Sequence, residues 1–228
     1  MIRFLLNFAG KDSLLLDENI PALYIFRLCI KYGLMMLRGW VFCTLRFRKF
    51  NKLFKASKVK IYCSKKFVIG SNVKLHDNVY IDALSREGVV LEDNVVIGRN
   101  SRIECTGSLN YVGKGIKIGS NTSFGSDCFF GAAGGIEIGS NVISGQNVRF
   151  HSENHKYKDS NVLIREQGVT HEGIKIGSNC WIGSGAVFLD GSEVSDGTVV
   201  AANSVVTKKF PKGVVIAGVP ARIISKID

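Results

Sequence analysis

Apolar residues recur at every sixth position along the C-terminal third of the chain. The register holds through Ile176, Ile182, Phe188, Val194, Val200 and Val206. A period of six fits neither an α-helix nor an alternating strand, whereas a coiled solenoid of parallel strands turns a corner every six residues. The pattern therefore predicts an all-β solenoid.

The same register appears in four shorter runs upstream. They start at Ile69, Leu91, Ile118 and Ile138, and the text IGSN occurs at Ile69, Ile118, Ile138 and Ile176. We expect the apolar residues to point inward. The Gly, Ser, Asn and Asp residues that follow would form the corners, because Gly adopts positive φ freely and Asn and Asp tolerate it. A β-sandwich is the alternative, but its turns are spaced less regularly, at about 8–12 residues.

The net charge of +11 is concentrated in the N-terminal part of the 228-residue chain. Residues 1–66 contain fourteen Lys or Arg and three Asp or Glu, and residues 67–228 contain sixteen of each kind. We therefore expect a basic, amphipathic helical extension at 1–66 and a solenoid domain at 67–228. No nucleic-acid recognition motif accompanies the charge, so this class of partner is not expected.

The N-terminal extension has the pattern of a helix that starts near Pro21 and runs to about Phe50, in which Gly33 or Gly39 could mark a bend. It has no uncharged stretch of the roughly 18–20 residues that span a bilayer. Two interpretations stay open and are compatible. The helix could cap the first coil, or it could lie on an anionic membrane surface.

The six cysteines form no C-x-x-C pair, so we expect reduced thiols in a cytosolic protein. The segment from Met1 to Gly10 lacks the features of a signal peptide. We therefore expect a cytoplasmic location, with peripheral contact at the inner face of the membrane where the helix binds lipid.

The six-residue register stops after Phe150 and resumes at Ile174, which indicates a loop insertion at 151–173. Insertions in solenoids form loops, and such loops commonly carry function. Three of the four histidines lie here: His151, His155 and His171. A histidine at the root of such a loop can serve as a general base, since its ordinary pKa is about 6.5. Glu153 or a backbone carbonyl could fix its tautomer.

Residues 174–224 resemble the left-handed β-helix, hexapeptide-repeat acyltransferases, in particular the branch of maltose, galactoside and polysaccharide O-acetyltransferases. The resemblance rests on Trp181-Ile182-Gly183, on the run from Ala201 to Lys208 and on Gly218-Val219-Pro220-Ala221-Arg222. It extends over about 67–226 and implies the left hand of the coil, with a short C-terminal tail.

The resemblance implies transfer of acetyl from acetyl-CoA to a sugar hydroxyl of a glycan acceptor, in cell-surface polysaccharide biosynthesis. It implies a homotrimer with active sites between subunits, and no metal. Asn154-His155 matches the family's catalytic segment, so His155 is the expected general base and His151 the second choice. The implied CoA contacts are Trp181, Gly183, Ser184, Ala201, Ala202, Lys208, Lys209 and Arg222.

Two other functions remain possible at this level. Hexapeptide-repeat carbonic anhydrases share the coil and bind zinc through three histidines across a subunit interface. His151, His155 and His171 could supply such a set, although their spacing differs from that family. The solenoid could also be a non-catalytic binding scaffold. The motifs around Trp181 and Ala201 argue against that interpretation.

Overall fold

A computed structural model describes residue 17, residues 19–46 and residues 49–227. Among these residues, an α-helix, Ala22–Thr44, precedes a parallel β-solenoid whose cross-section is triangular, with three sheets along its length. Short 3₁₀ turns occur at Ser64–Lys66 and Ile164–Glu166. The expected solenoid is confirmed, and it is a left-handed β-helix.

Three parallel sheets form the faces of the solenoid. Face 1 consists of Phe54–Lys55, Lys74–Leu75, Val96–Ile97, Ser123–Phe124, Ile143–Ser144, Trp181–Ile182, Val199–Val200 and Val214–Gly218, with Ala221–Lys226 added antiparallel at its end. Face 2 consists of Lys60–Tyr62, Tyr80–Asp82, Arg102–Glu104, Phe129–Gly131, Arg149–His151, Val187–Leu189 and Val205–Val206. Face 3 consists of Phe67–Ile69, Gly88–Leu91, Gly115–Ile118, Ile136–Ile138, Ile174–Ile176, Glu193–Val194 and Lys209–Phe210.

The residues of the six-residue register fill the interior, as the pattern predicts. Phe130, Phe150 and Phe188 occupy equivalent positions on successive coils of face 2, and their rings stack with centroids 5.1 and 4.8 Å apart. Each of these rings is fully buried. The solenoid therefore has a continuous core, in which every coil is covered by its neighbours.

Asparagines hold the corners in the left-handed backbone region. Asn72, Asn94, Asn121 and Asn141 all have φ close to 60°. Their side chains form a ladder, in which Asn72 Nδ2 donates to Asn94 Oδ1 at 2.7 Å and Asn94 Nδ2 donates to Asn121 Oδ1 at 2.8 Å. The corner role of these residues is confirmed, and the ladder also ties neighbouring coils together.

The helix covers the open end of the solenoid. Met35, Gly39, Phe42 and Cys43 are buried against the first coil, and the ring of Tyr32 packs edge-on against Phe54 at 5.9 Å. A Cβ atom at Gly39 would overlap the carbonyl oxygen of Leu53. Capping of the first coil is therefore what this helix does in the structure.

Two expectations for the N-terminal part differ from the structure. The helix ends at Thr44, before Phe50, and it runs through both glycines without interruption. The first coil begins at Phe54, before residue 67, because Phe54–Lys55 already pairs with Lys74–Leu75. Charge composition marks where the surface becomes neutral, whereas the start of the solenoid depends on strand pairing, which the charge count does not report.

Candidate active site

The main interruption of the solenoid is a loop at residues 152–173, at the corner between faces 2 and 3. His151 itself still belongs to a face 2 strand, in register with Leu189. The loop contains a short antiparallel hairpin, in which Asn154–His155 pairs with Val169–Thr170. The Lys156 N–H donates to the Gly168 carbonyl at 3.0 Å and closes this ribbon.

His155 lies on the hairpin with an exposed side chain. It borders a cavity of about 610 Å³, which is formed by the loop itself; the lining includes Asn154, His155, Tyr157, Asp159, Val162 and Gln167. That volume is within the range of small-molecule sites. Gln167 holds the loop together, since its Nε2 donates to the carbonyls of Asp159 at 2.8 Å and Val162 at 2.7 Å. His155 is thus an accessible imidazole on a braced loop.

His151 has a different environment. Its ring lies 5.4 Å from the ring of Phe129 on face 2. Burial lowers the pKa of His151, and the nearby Arg149 lowers it further. The side chain packs on the surface of the coil, whereas His155 lies at the cavity.

His171 is held by two partners. Its Nε2 atom lies 2.8 Å from Glu153 Oε2, and its ring stacks on Tyr111 with centroids 4.2 Å apart and an interplanar angle of 9°. Glu153 therefore pairs with His171 and not with His155. The sequence reasoning did not identify Tyr111. The signal for it was the break in the six-residue register between Ile103 and Ile118.

Asp190 is a second anchor that sequence reasoning did not identify. It is buried on the coil that follows the loop, and its carboxylate accepts hydrogen bonds from the Thr170 hydroxyl and from the Glu172 and Gly173 N–H groups. Gly191, which follows Asp190, has φ of +78°, a backbone conformation that favours glycine, and the Glu172 carboxylate lies beside it. No motif in the sequence distinguishes this aspartate from other corner residues.

The residues expected to contact CoA fall into two groups. Trp181 lies on the outer surface of face 1, between Ile143 and Val199. Gly183 with Ser184, and Ala201 with Ala202, lie one above the other at the corner between faces 1 and 2, where Asn203 N–H donates to the Ser184 carbonyl at 2.9 Å. A Cβ atom at Gly183 would overlap the Ala202 backbone, so stacking of the coils itself requires glycine there.

The three basic residues of the expected CoA site are not gathered at one point. Lys209 lies on face 3, where its Nζ is 3.6 Å from Glu193 Oε2. Lys208 lies at the corner between faces 2 and 3, with Nζ 5.5 Å from the Phe210 ring centroid. Arg222 lies on the C-terminal strand and donates to the Ala221 carbonyl. Glu193 thus already pairs the charge of Lys209.

The expected general base and most of the residues expected to contact CoA lie on different sides of the chain. His155 projects at the corner between faces 2 and 3, whereas Trp181 lies on face 1 and Gly183 and Ala201 follow it at the next corner. The described residues also contain no group of three side chains able to hold a metal ion. A zinc site built from His151, His155 and His171 is thus not formed within the described chain.

The chain is similar to proteins of known class. A family described as bacterial transferase hexapeptide (six repeats) matches residues 173–208. The chain is 33% identical over 144 residues to the galactoside O-acetyltransferase of Escherichia coli K12, covering 63% of this chain and 69% of that enzyme.

Two solved structures are also similar to this chain. A hexapeptide-repeat acetyltransferase of Vibrio cholerae O1 biovar eltor, solved with acetyl-CoA, is 26% identical with a TM-score of 0.52, covering 60% of this chain and 69% of that one. A maltose O-acetyltransferase of Clostridium difficile 630 is 34% identical, covers 58% of this chain and 69% of that one, and has a TM-score of 0.48.

Fold and sequence together define a left-handed β-helix acyltransferase. The chain belongs to the hexapeptide-repeat transferase family, and it is an O-acetyltransferase.

Proposed function

We propose that this enzyme transfers the acetyl group of acetyl-CoA to a sugar hydroxyl, with His155 as the general base. The observation that carries the proposal is the position of His155, an exposed imidazole on a braced hairpin at the wall of a cavity of about 610 Å³. Support for the two substrates comes from relatives, one a galactoside O-acetyltransferase and one solved with acetyl-CoA.

The reaction needs one proton acceptor and forms no acyl-enzyme. His155 removes the proton from the sugar hydroxyl as the oxygen attacks the thioester carbonyl carbon. The tetrahedral intermediate then collapses, the carbon–sulfur bond breaks, and the imidazolium returns its proton to the departing CoA thiolate. General-base assistance of this kind contributes about 10²–10⁴-fold in rate.

Donor binding is proposed at face 1 and the corner that follows it. Trp181 supplies an exposed aromatic surface, and Gly183, Ser184, Ala201 and Ala202 supply a corner with small side chains along which an extended pantetheine arm fits. Lys208 and Arg222 are the proposed phosphate contacts. Lys209 contributes less, because Glu193 already pairs its charge.

The active site is proposed to form between subunits of a homotrimer. Within one chain, His155 and the proposed acetyl-CoA contacts lie on different sides, and a second copy would bring them together. Face 1 also carries an outward row of apolar residues, Ile143, Trp181, Val199 and Val215, which are neighbours in strand register. Ile143 is 63% exposed and Trp181 is 59% exposed, as expected of a surface that a neighbouring subunit covers.

Subunit mixing tests this arrangement. His155→Ala and Trp181→Ala subunits, each with low activity alone, are co-expressed and purified as mixed oligomers. A shared site restores activity, because about one site in four in a random trimer combines an intact His155 with an intact Trp181 from its neighbour. Activity that stays at the level of the single variants would contradict the shared site, and light scattering reports whether the assembly is a trimer.

The proposed acceptor is a cell-surface glycan or its membrane-linked precursor, made at the inner face of the membrane. On the side opposite its capping face, the helix exposes a row of apolar side chains. Their spacing puts them on one face of the helix: Leu23, Phe26, Ile30, Leu34, Leu37 and Val41. Arg27 and Arg38 are exposed beside this row. No helix among the described residues is both long enough and apolar enough to cross a membrane. An apolar row with flanking arginines fits peripheral contact with anionic lipid.

Vesicle sedimentation tests the membrane contact with the full chain. We expect the full-length enzyme to sediment with anionic vesicles and not with neutral ones, and a Leu23→Ser, Phe26→Ser, Ile30→Ser triple variant to stay in solution. Val68→Ser is the matched control, since Val68 is an exposed apolar residue on face 3. Equal sedimentation of the triple variant and the wild type would overturn the membrane contact. That result would not bear on the proposed transfer of acetyl to a sugar hydroxyl.

A further inference from the structure

Side chains from three separate coils meet beside the hairpin that carries His155. The Tyr111 ring stacks on His171, and the guanidinium carbon of Arg86 lies 4.8 Å from the Tyr111 centroid. His171 in turn pairs with Glu153 at 2.8 Å. We call these four residues, Arg86, Tyr111, His171 and Glu153, the corner column.

The contact between Tyr111 and His171 passes over an intervening coil. That coil turns the same corner with Ala132, Ala133, Gly134 and Gly135, so no side chain there is larger than a methyl group. A Cβ atom at Gly134 would overlap the Ser152 carbonyl oxygen and lie 3.1 Å from the His171 Cα. The small corner therefore lets the loop sit close to the coil and lets Tyr111 reach it.

The register of the hairpin relates the corner column to His155. Asn154 is opposite Thr170 and His155 is opposite Val169, so the next pair toward the root of the loop is Glu153 and His171. Side chains directly opposite in an antiparallel ribbon share a side, and sides alternate along each strand. His155 and the Glu153–His171 pair therefore lie on the same side of the ribbon.

The ribbon needs such support. Each of its strands has two residues, and a two-stranded hairpin is marginally stable at best on its own. The Glu153–His171 pair is at its root, and the side chain of His171 is only 17% exposed under Tyr111. An anchored root fixes where the next cross-strand pair, with His155, points.

We propose that Tyr111, His171 and Glu153 are positioning residues for acetyl transfer, which hold the hairpin so that His155 keeps its working orientation. They act through His155 and touch neither substrate. The proposal rests on the proposed role of His155. The proposed acetyl-CoA contacts are on other elements. Loss of the corner column therefore lowers kcat and leaves KM for acetyl-CoA near its wild-type value.

Hydrogen exchange tests the anchoring without reference to catalysis. The Lys156 amide is the reporter, since it donates to Gly168 across the ribbon. We expect Tyr111→Ala to speed its exchange about tenfold, and Tyr111→Phe to keep the slow exchange because the ring remains. Tyr80→Ala is the matched control, since Tyr80 contacts Tyr62 and Arg102 on face 2 and does not meet the loop.

Kinetics tests the consequence for the reaction. Tyr111→Ala and His171→Ala are each expected to lower kcat about tenfold or more, because small displacements of a catalytic group are costly. The double variant is expected to lose little further kcat, since each substitution alone already breaks the Tyr111–His171 stack. Glu153→Gln, which keeps the shape of the side chain, serves if either alanine variant fails to fold, and it is expected to lower kcat and speed exchange in the same direction.

Two results would overturn the proposal. One is wild-type exchange at Lys156 in folded Tyr111→Ala and Glu153→Gln proteins. The other is faster exchange with unchanged kcat. If His155→Ala keeps normal turnover, the general-base assignment fails, whereas the exchange result still decides whether the corner column anchors the hairpin.

Discussion

The hydroxyl of Thr170 donates a hydrogen bond to the carboxylate of Asp190, and the two oxygen atoms lie 2.8 Å apart. Thr170 is on the hairpin and Asp190 is on the following coil. The same carboxylate accepts the Glu172 N–H at 3.1 Å and the Gly173 N–H at 2.8 Å. One buried carboxylate thus fixes the point where the loop returns to the solenoid.

Removal of that carboxylate is expected to destabilise the protein. Asp190→Ala leaves two backbone N–H groups near the buried return of the loop without an acceptor, which lowers the free energy of unfolding by about 2 kcal/mol. Urea denaturation followed by circular dichroism measures the change. Glu137→Ala is the control, because Glu137 is exposed on face 3 and its pair with Lys114 spans 3.6 Å, so a change within about 0.5 kcal/mol is expected. Equal effects of the two variants would contradict the anchoring role.

Replacement of His155 is expected to abolish most of the activity. His155→Ala removes the proton acceptor, so kcat falls by about 10²-fold or more, while CoA still protects the protein against thermal unfolding. His151→Ala, in contrast, changes a ring that packs beside Phe129 and is expected to keep most of the turnover. Initial rates with acetyl-CoA and a panel of sugars provide the measurement. Near-normal turnover in His155→Ala together with loss in His151→Ala would reverse the assignment.

Two glycines of the helix are expected to respond in opposite directions to the same substitution. Gly39→Ala introduces a Cβ against the Leu53 carbonyl and pushes the helix from the first coil, at a cost of about 2 kcal/mol. Gly33 has nothing within 4 Å of its Cβ position, so Gly33→Ala raises helix propensity and stabilises by about 1 kcal/mol. Thermal and urea unfolding of both variants test the capping contact. A harmless Gly39→Ala would show that the helix is not held there.

The stability of the protein is expected to fall on mild acidification, in part through His76. Burial lowers the pKa of His76, and Lys31 and Arg99 lower it further, while Asp77 acts in the opposite sense. The unfolded chain therefore takes up a proton first as the pH drops below about 6.5, so this contribution to stability is complete above that pH and is lost below it.

Melting curves between about pH 7 and about pH 5 test the sign of this effect. His76→Gln is expected to reduce the fall in Tm over this range. His155→Gln, which replaces an exposed histidine on the hairpin far from the buried core, is the control. An unchanged slope in His76→Gln would contradict the role of the buried imidazole.

Much of the fold could be predicted because its determinants are periodic. The inward residues Ile182, Phe188 and Val206 are local in sequence and repeat with each face, so the register alone indicated the solenoid and the break after Phe150. The end of the helix and the start of the first coil were less accurate. Those boundaries depend on contacts such as Phe54–Lys55 with Lys74–Leu75, which no local pattern encodes.

The sequence by itself determined the solenoid, its corners, the position of the loop and the family to which the chain belongs, because all of these follow from spacing and short motifs. Only the tertiary structure decided which histidine is paired and which is accessible. Glu153 precedes His155 by two residues, yet it bonds His171, because antiparallel pairing places them opposite each other and Tyr111 covers the pair. Contacts among residues 86, 111, 153 and 171 depend on the stacking of coils, so sequence distance could not reveal them.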